Sequence, residues 1–193
     1  MVNIDKFLDE LGLNEHLTLD DIPDIDLYMD QVIQLFEKKY AKTKRDPKDK
    51  ILTKTMINNY AKGRLFFPIK NKKYSKEHLL LISFIYQLKG TITINDIKVV
   101  LEKLNDKVVN ENFTLDDLYK AHTNLIFNQE ERFKKDFKGK VKEVTEATNQ
   151  LADSDSEYLK QLLLILSLSH MSTLYQRAAE KLIDEFQQEE EEN

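Results

Sequence analysis

Residues 53–75 read Thr53-Lys54-Thr55-Met56-Ile57-Asn58-Asn59-Tyr60-Ala61-Lys62-Gly63-Arg64-Leu65-Phe66-Phe67-Pro68-Ile69-Lys70-Asn71-Lys72-Lys73-Tyr74-Ser75, and the fold turns on them. Thr53 is a favoured helix N-cap, and Met56, Ile57, Tyr60 and Ala61 give a short helix over 53–62 one apolar face. Gly63 stops it. The opposite face carries Lys54, Thr55, Asn58, Asn59 and Lys62. From Leu65 to Tyr74, aromatic and branched residues flank Lys70-Asn71-Lys72-Lys73, a pattern that predicts a small β-hairpin. A polar-faced helix followed by a basic hairpin suits insertion in a DNA major groove with the backbone gripped beside it.

Upstream, Ile4, Phe7, Leu8 and Leu11 predict a short amphipathic helix that ends at Gly12. Leu17 to Asp24, broken by Pro23, reads as a connector. Leu27, Tyr28, Val32, Leu35, Phe36 and Tyr40 recur at threes and fours and predict a helix from about Ile25, with Tyr28 and Met29 in its core. Lys42 to Lys50 has no apolar residue and reads as a loop. Downstream, Ser75 caps a helix that buries Leu79, Leu80, Ile82, Phe84, Ile85 and Leu88 and ends at Gly90. Thr93-Ile94-Asn95-Asp96 has the character of a capping box and opens another helix.

The second half predicts long helices. Thr114-Leu115-Asp116-Asp117 again resembles a capping box, and Gly139 is a candidate interruption of the helix it opens. Asp153 to Ser156 reads as a polar hinge before a last helix over about 157–188. Between Tyr158 and Leu168 that helix is apolar almost all round, which predicts burial on every side. Glu189 to Glu192 reads as a frayed acidic tail.

The chain has 193 residues, 41% hydrophobic and 33% charged, with four glycines, three prolines and no cysteine. That composition excludes a disordered chain, a disulfide scaffold, a thiolate metal site and a catalytic thiol. The most apolar stretch, Leu162 to Leu168, is too short to span a bilayer, and the N-terminus lacks a leader pattern. A cytoplasmic location without membrane attachment is the expectation. The formal net charge is −5, yet Lys38 to Lys76 holds fourteen Lys and Arg against Asp46 and Asp49. A basic island in an acidic chain is either the footprint of an anionic partner or a solvated loop.

Signals for an enzyme are poor: no glycine-rich phosphate loop, no His-Glu-x-x-His and no Gly-x-Ser-x-Gly. His16, His78, His122 and His170 are far apart in sequence. His78 reads as a surface or capping residue and His170 as a hydrogen-bonded core histidine. Asp20-Asp21, Asp116-Asp117 and Glu130-Glu131 read as caps or solvated faces. Met56, Phe66 and Phe67 read as packing beneath the hairpin.

Residues 51–105 resemble the DNA-binding module of MerR-type transcriptional regulators. The resemblance lies in Thr55-Met56 at the start of the short helix and Gly63 after it. It continues in Lys73-Tyr74-Ser75 at the exit of the hairpin, then Leu88-Lys89-Gly90 and Thr93-Ile94-Asn95-Asp96-Ile97. Ile57, Asn58 and Asn59 stand where that family carries Arg-Tyr-Tyr. More closely, Pro23 to Val32 and Met56 to Tyr60 resemble an uncharacterised family of MerR-like proteins from low-GC Gram-positive bacteria.

The combined expectation is an all-α protein: a winged helix-turn-helix module with a β-hairpin wing over 25–105, preceded by a helix and connector over 1–24. A helical bundle region over 106–193 would serve dimerisation and effector sensing. The function expected is sequence-specific binding of double-stranded DNA by a homodimer, without catalysis, cofactor or metal. Lys54, Thr55, Asn58 and Asn59 are candidates for groove contact. Lys62, Arg64, Lys70, Lys72, Lys73 and Tyr74 are candidates for the backbone. The alternatives are an adaptor whose basic module docks on an acidic protein, and a helical-bundle enzyme.

Overall fold

The computed structural model describes residues 3–111, 113–151 and 153–191. The opening Met1-Val2 and the Glu192 of the acidic run lie outside them. Helix α1 spans Ile4–Glu10, its first turn capped by the Asn3 side chain, which accepts from the Lys6 N–H at 3.1 Å. Gly12 follows at φ +63, where a Cβ would stand 3.2 Å from the Lys42 carbonyl oxygen. Both its left-handed backbone and that close approach require glycine.

The helix expected from Ile25 begins four residues later. Leu27–Tyr28 is a strand, β1, with Leu27 buried and Tyr28 54% exposed, and helix α2 spans Met29–Lys39. Leu27 and Tyr28 point to opposite sides of a strand, so the apolar repeat that suggested helix was two periods joined end to end. Tyr28 is therefore not a core residue. Its backbone N–H donates to the Gln31 side chain at 2.9 Å and caps α2.

Helix α3 spans Lys54–Lys62, β2 Lys73–Tyr74, α4 Lys76–Leu88 and α5 Ile94–Asn110. The remaining helices, α6 at Leu115–Asn149 and α7 at Ser156–Glu191, are much longer. Strand β2 pairs antiparallel with β1, Leu27 opposite Tyr74 and Tyr28 opposite Lys73. The molecule is thus mostly helical with a small two-stranded sheet. Residues 78–85 of α4 are all buried, and α2, α3, α5, α6 and the sheet surround them.

One polar knot fastens this core. The Tyr119 hydroxyl on α6 donates to the Leu17 carbonyl at 2.8 Å and lies 2.8 Å from Ser83 Oγ on α4. The Leu17 N–H donates to the Tyr40 hydroxyl at 3.2 Å. Burial pushes both phenols up from the ordinary tyrosine value, Tyr119 well above it. The connector's backbone, which has no helix to satisfy it at Leu17, takes its partners from two buried tyrosines.

Five further expectations in the second half change. Helix α6 runs unbroken through Gly139, where nothing lies within 4 Å of a Cβ position. One exposed glycine costs a helix only about 1 kcal/mol relative to alanine, too little to break it. Thr114 makes no side-chain cap bond. Helix α7, which lies against α6 and α5, is not buried on all sides: Tyr158 is 63% exposed, Ile165 61% and Tyr175 71%. His170 is exposed on it, not in a core. The acidic run is helical through Glu191.

Candidate nucleic-acid interface

Helix α3 begins at Thr53, whose hydroxyl accepts from the Met56 N–H at 3.1 Å. Ile57 and Tyr60 anchor it in the core, while Lys54, Thr55, Asn58, Asn59 and Lys62 are exposed. The groove-contact candidates thus share one solvent face, the consequence of an apolar stripe at three- and four-residue spacing. Lys54 is already engaged, its ammonium 2.8 Å from the exposed Asp30 carboxylate of α2.

The end of α3 differs from the sequence expectation in one informative way. Gly63 has ordinary helical dihedrals, and the left-handed residue is Arg64, at φ +58. The Arg64 N–H donates to the Ala61 carbonyl at 3.1 Å and the Leu65 N–H to the Tyr60 carbonyl at 3.0 Å. This is the bonding of a Schellman stop, with arginine in the position that favours glycine.

The expected hairpin contracts to a tight turn. Lys70 pairs with Lys73 across it, the Lys73 N–H donating to the Lys70 carbonyl at 2.9 Å. Asn71 and Lys72 at its tip have φ of +52 and +60. Both being left-handed matches a type I′ turn, whose second position favours glycine. Beyond the turn, residues 65–69 form no strand with β2, because side chains claim their backbone groups. Asn105 of α5 accepts from the Phe67 N–H at 3.0 Å and donates to the Leu65 carbonyl at 3.1 Å. His78 of α4 completes the attachment from its Nε2, 3.1 Å from the Phe67 carbonyl oxygen. Pro68 has no N–H to offer a ladder.

His78 is both cap and core residue. Its Nδ1 accepts from the Ser75 N–H at 3.1 Å, and its ring, 3% exposed, packs against Phe66, Phe67 and Tyr74. With Nδ1 accepting, Nε2 carries the proton. Burial holds this histidine below its ordinary range, so the neutral ring is the form that fits. Phe66 is buried and Met56 and Phe67 pack on the core, the packing role expected of them.

Of the backbone candidates, Lys62, Arg64, Lys70 and Lys72 are exposed and Lys73 is half-buried. Tyr74 is a correction: at 1% exposure, edge-on to Phe66 and His78, its ring cannot reach a backbone. Tyr28 replaces it on the surface. Its exposed ring lies beside β2, with the Lys73 ammonium 5.4 Å from the ring centroid. Strand alternation in Leu27-Tyr28 was the available sign. Asn105 carried none, since an asparagine late in a helix looks the same whether it pins a loop or faces water.

The basic island is partly neutralised. Lys39 pairs with Asp21, Lys42 with Glu15, Lys44 with Glu37 and Lys76 with Asp116. Asp46 and Asp49 serve the loop's own backbone, accepting from the Lys48 and Asp46 N–H groups. Among the described residues Lys62, Arg64, Lys70, Lys72 and Lys73 have no carboxylate partner. These five lie in sequence at the end of α3 and around the tight turn; Lys38, Arg45, Lys48 and Lys50 of the same island are likewise without an ion-pair partner among the described residues.

Elsewhere the carboxylates behave as expected with one exception. Asp21 caps the short 3₁₀ turn at Leu19–Asp21 through Thr18. Glu130 is not on a solvated face: its carboxyl lies 3.6 Å from His16 Nδ1 with 12% of the side chain exposed, and burial pushes its pKa up. No group of three or more metal-ligating side chains occurs among the described residues, and none of their helices is long and apolar enough to cross a membrane.

No curated protein and no solved structure matches the chain. A family pattern does, over residues 17–122. Its limits fall at Leu17, the connector residue held by Tyr40 and Tyr119, and at His122, one turn beyond Tyr119. It takes in the central helix, the sheet, α3 and the tight turn, and covers more than half of the sequence: the chain belongs to the DUF1836 family, a domain of unknown function.

Proposed function

We propose that this DUF1836 protein is a homodimeric transcriptional regulator that binds double-stranded DNA in a sequence-specific manner. In this reading residues 25–105 act as a winged helix-turn-helix, α3 entering the major groove and the 70–73 turn lying along the backbone. One observation carries it. Arg64 and Lys72 both occupy left-handed positions where glycine would be more stable, and both hold an exposed, unpaired cation there. Backbone strain tolerated for the sake of a side chain is a mark of function, and here both side chains suit phosphate. Asn58 and Asn59, exposed on α3, have the donor–acceptor pair that reads adenine.

The test uses duplex fragments selected from a random pool and fluorescence anisotropy at two salt concentrations. Affinity falls with salt at a log–log slope of about −0.9 per phosphate neutralised. Replacing Lys70, Lys72 and Lys73 together by Ala flattens that slope and weakens all sequences alike. An unchanged slope in the triple variant, or equal competition by an acidic protein of matched charge, overturns the proposal.

A further inference from the structure

A groove of about 530 Å³ opens between α1, α6 and α7, with no α3 residue in its lining. Phe7 of α1 stacks on Phe137 of α6 at 5.2 Å and forms one wall; Val141, Leu164 and Leu168 extend the apolar lining. Thr145 does not make it polar, because its hydroxyl donates to the Val141 carbonyl at 2.7 Å within the helix. An apolar groove of this kind between helices is shaped to receive an apolar group. Its volume lies within the range of about 300–1,000 Å³ typical of small-molecule sites.

The rim has the opposite character. Lys138 and Lys142 stand one turn apart on α6, with Lys160 facing from α7. Asp5 neutralises Lys138 at 2.7 Å, and Glu157 is the rim's own acid, which leaves a cationic excess. We propose that this groove binds a single-chain amphipathic anion, an alkyl carboxylate, with its tail on the apolar lining and its carboxylate at Lys142 and Lys160. The lining is predominantly apolar, with Gln161 its one amide, which suits an alkyl chain better than a sugar or a nucleobase. A second copy of the chain is the poorer occupant, because two-fold symmetry would set one cationic rim against its equal.

Isothermal titration of the full chain with dodecanoate, below its micelle concentration and without DNA, tests the site independently of the DNA-binding proposal. One saturable site is expected, and affinity rises about fourfold per methylene from decanoate to dodecanoate. Val141→Trp fills the groove and abolishes binding. Lys142→Glu with Lys160→Glu weakens dodecanoate at least tenfold and leaves dodecanol unaffected; these surface changes preserve the fold and carry the test if Val141→Trp does not fold. The proposal fails if wild type shows no saturable binding, if dodecanol binds as tightly as dodecanoate, or if neither variant alters the titration. It fails too if light scattering shows that Val141→Trp splits a dimer that binds no dodecanoate, since the groove would then hold a second copy.

Discussion

Arg64 and Lys72 set stability against binding at single positions. A non-glycine residue in the left-handed region costs about 1 kcal/mol, and both positions are exposed. Arg64→Gly and Lys72→Gly are therefore each expected to raise stability by about 0.5–1 kcal/mol, measured by urea unfolding. Each is also expected to weaken duplex binding at low salt by the loss of one phosphate contact. A variant that gains stability and keeps full affinity would remove that residue from the interface. The sequence alone places the cations but not the strain. Gly63 looks like the left-handed stop, and only the Schellman bonding moves that role one residue on.

Among the elements, α3 was legible because its signals agree: an N-cap, one apolar stripe, one polar face and a glycine at the end. If that polar face reads bases, Asn58→Ala or Asn59→Ala relaxes preference at one or two operator positions by about 1–3 kcal/mol and leaves the fold intact. Binding-site selection with each variant measures the change, and unaltered operator preference in both would displace α3 from the groove. The segment after α3 was read less well, for a physical reason. Residues 65–69 have the composition of a strand, but Asn105 and His78 satisfy their backbone from 38 and 11 residues away. Local patterning cannot register partners that distant.

His78 and His122 extend this to pH. Burial holds both below their ordinary value of 6.5, so the folded chain keeps them neutral where the unfolded chain takes up protons. The unfolded state then binds more protons, and the stabilisation present above pH 6.5 is lost as pH falls toward the lower folded values. Glu130 acts oppositely: its carboxyl is raised above 4.5, so it favours the folded state at low pH and loses that contribution as pH rises through its folded value. Between pH 7.5 and 5.5 the histidines are expected to lower the melting temperature, and His78→Gln is expected to lessen the drop. A melting temperature that rises on acidification over that interval refutes the assignment.

For the molecule as a whole, the family pattern and the densest packing coincide, and the long helices beyond them are the part that composition described least well. The sequence predicts an α7 surrounded by neighbours, whereas Tyr158, Ile165, Leu166, Tyr175, Leu182 and Phe186 are all more than half exposed. An apolar surface so extended is uncommon on a monomer. Light scattering at micromolar concentration is expected to show a dimer, and the selected operator to be pseudo-palindromic, with half-sites about 34 Å apart. A monomer would leave the proposed regulator without its two-fold symmetry.

The Tyr119–Leu17 bond also has a meaning in time. Its partners are 102 residues apart, so a chain leaving the ribosome exposes its connector long before the residue that fastens it has been made. Closing a loop of that length costs entropy before any contact rewards it. Helices α2 to α5 can gather around α4 in that interval, but Leu17 must wait for the first turns of α6. Fastening of Leu17 is thus coupled to the start of the long α6–α7 arm, and Ile183 of α7 joins the same core last of all.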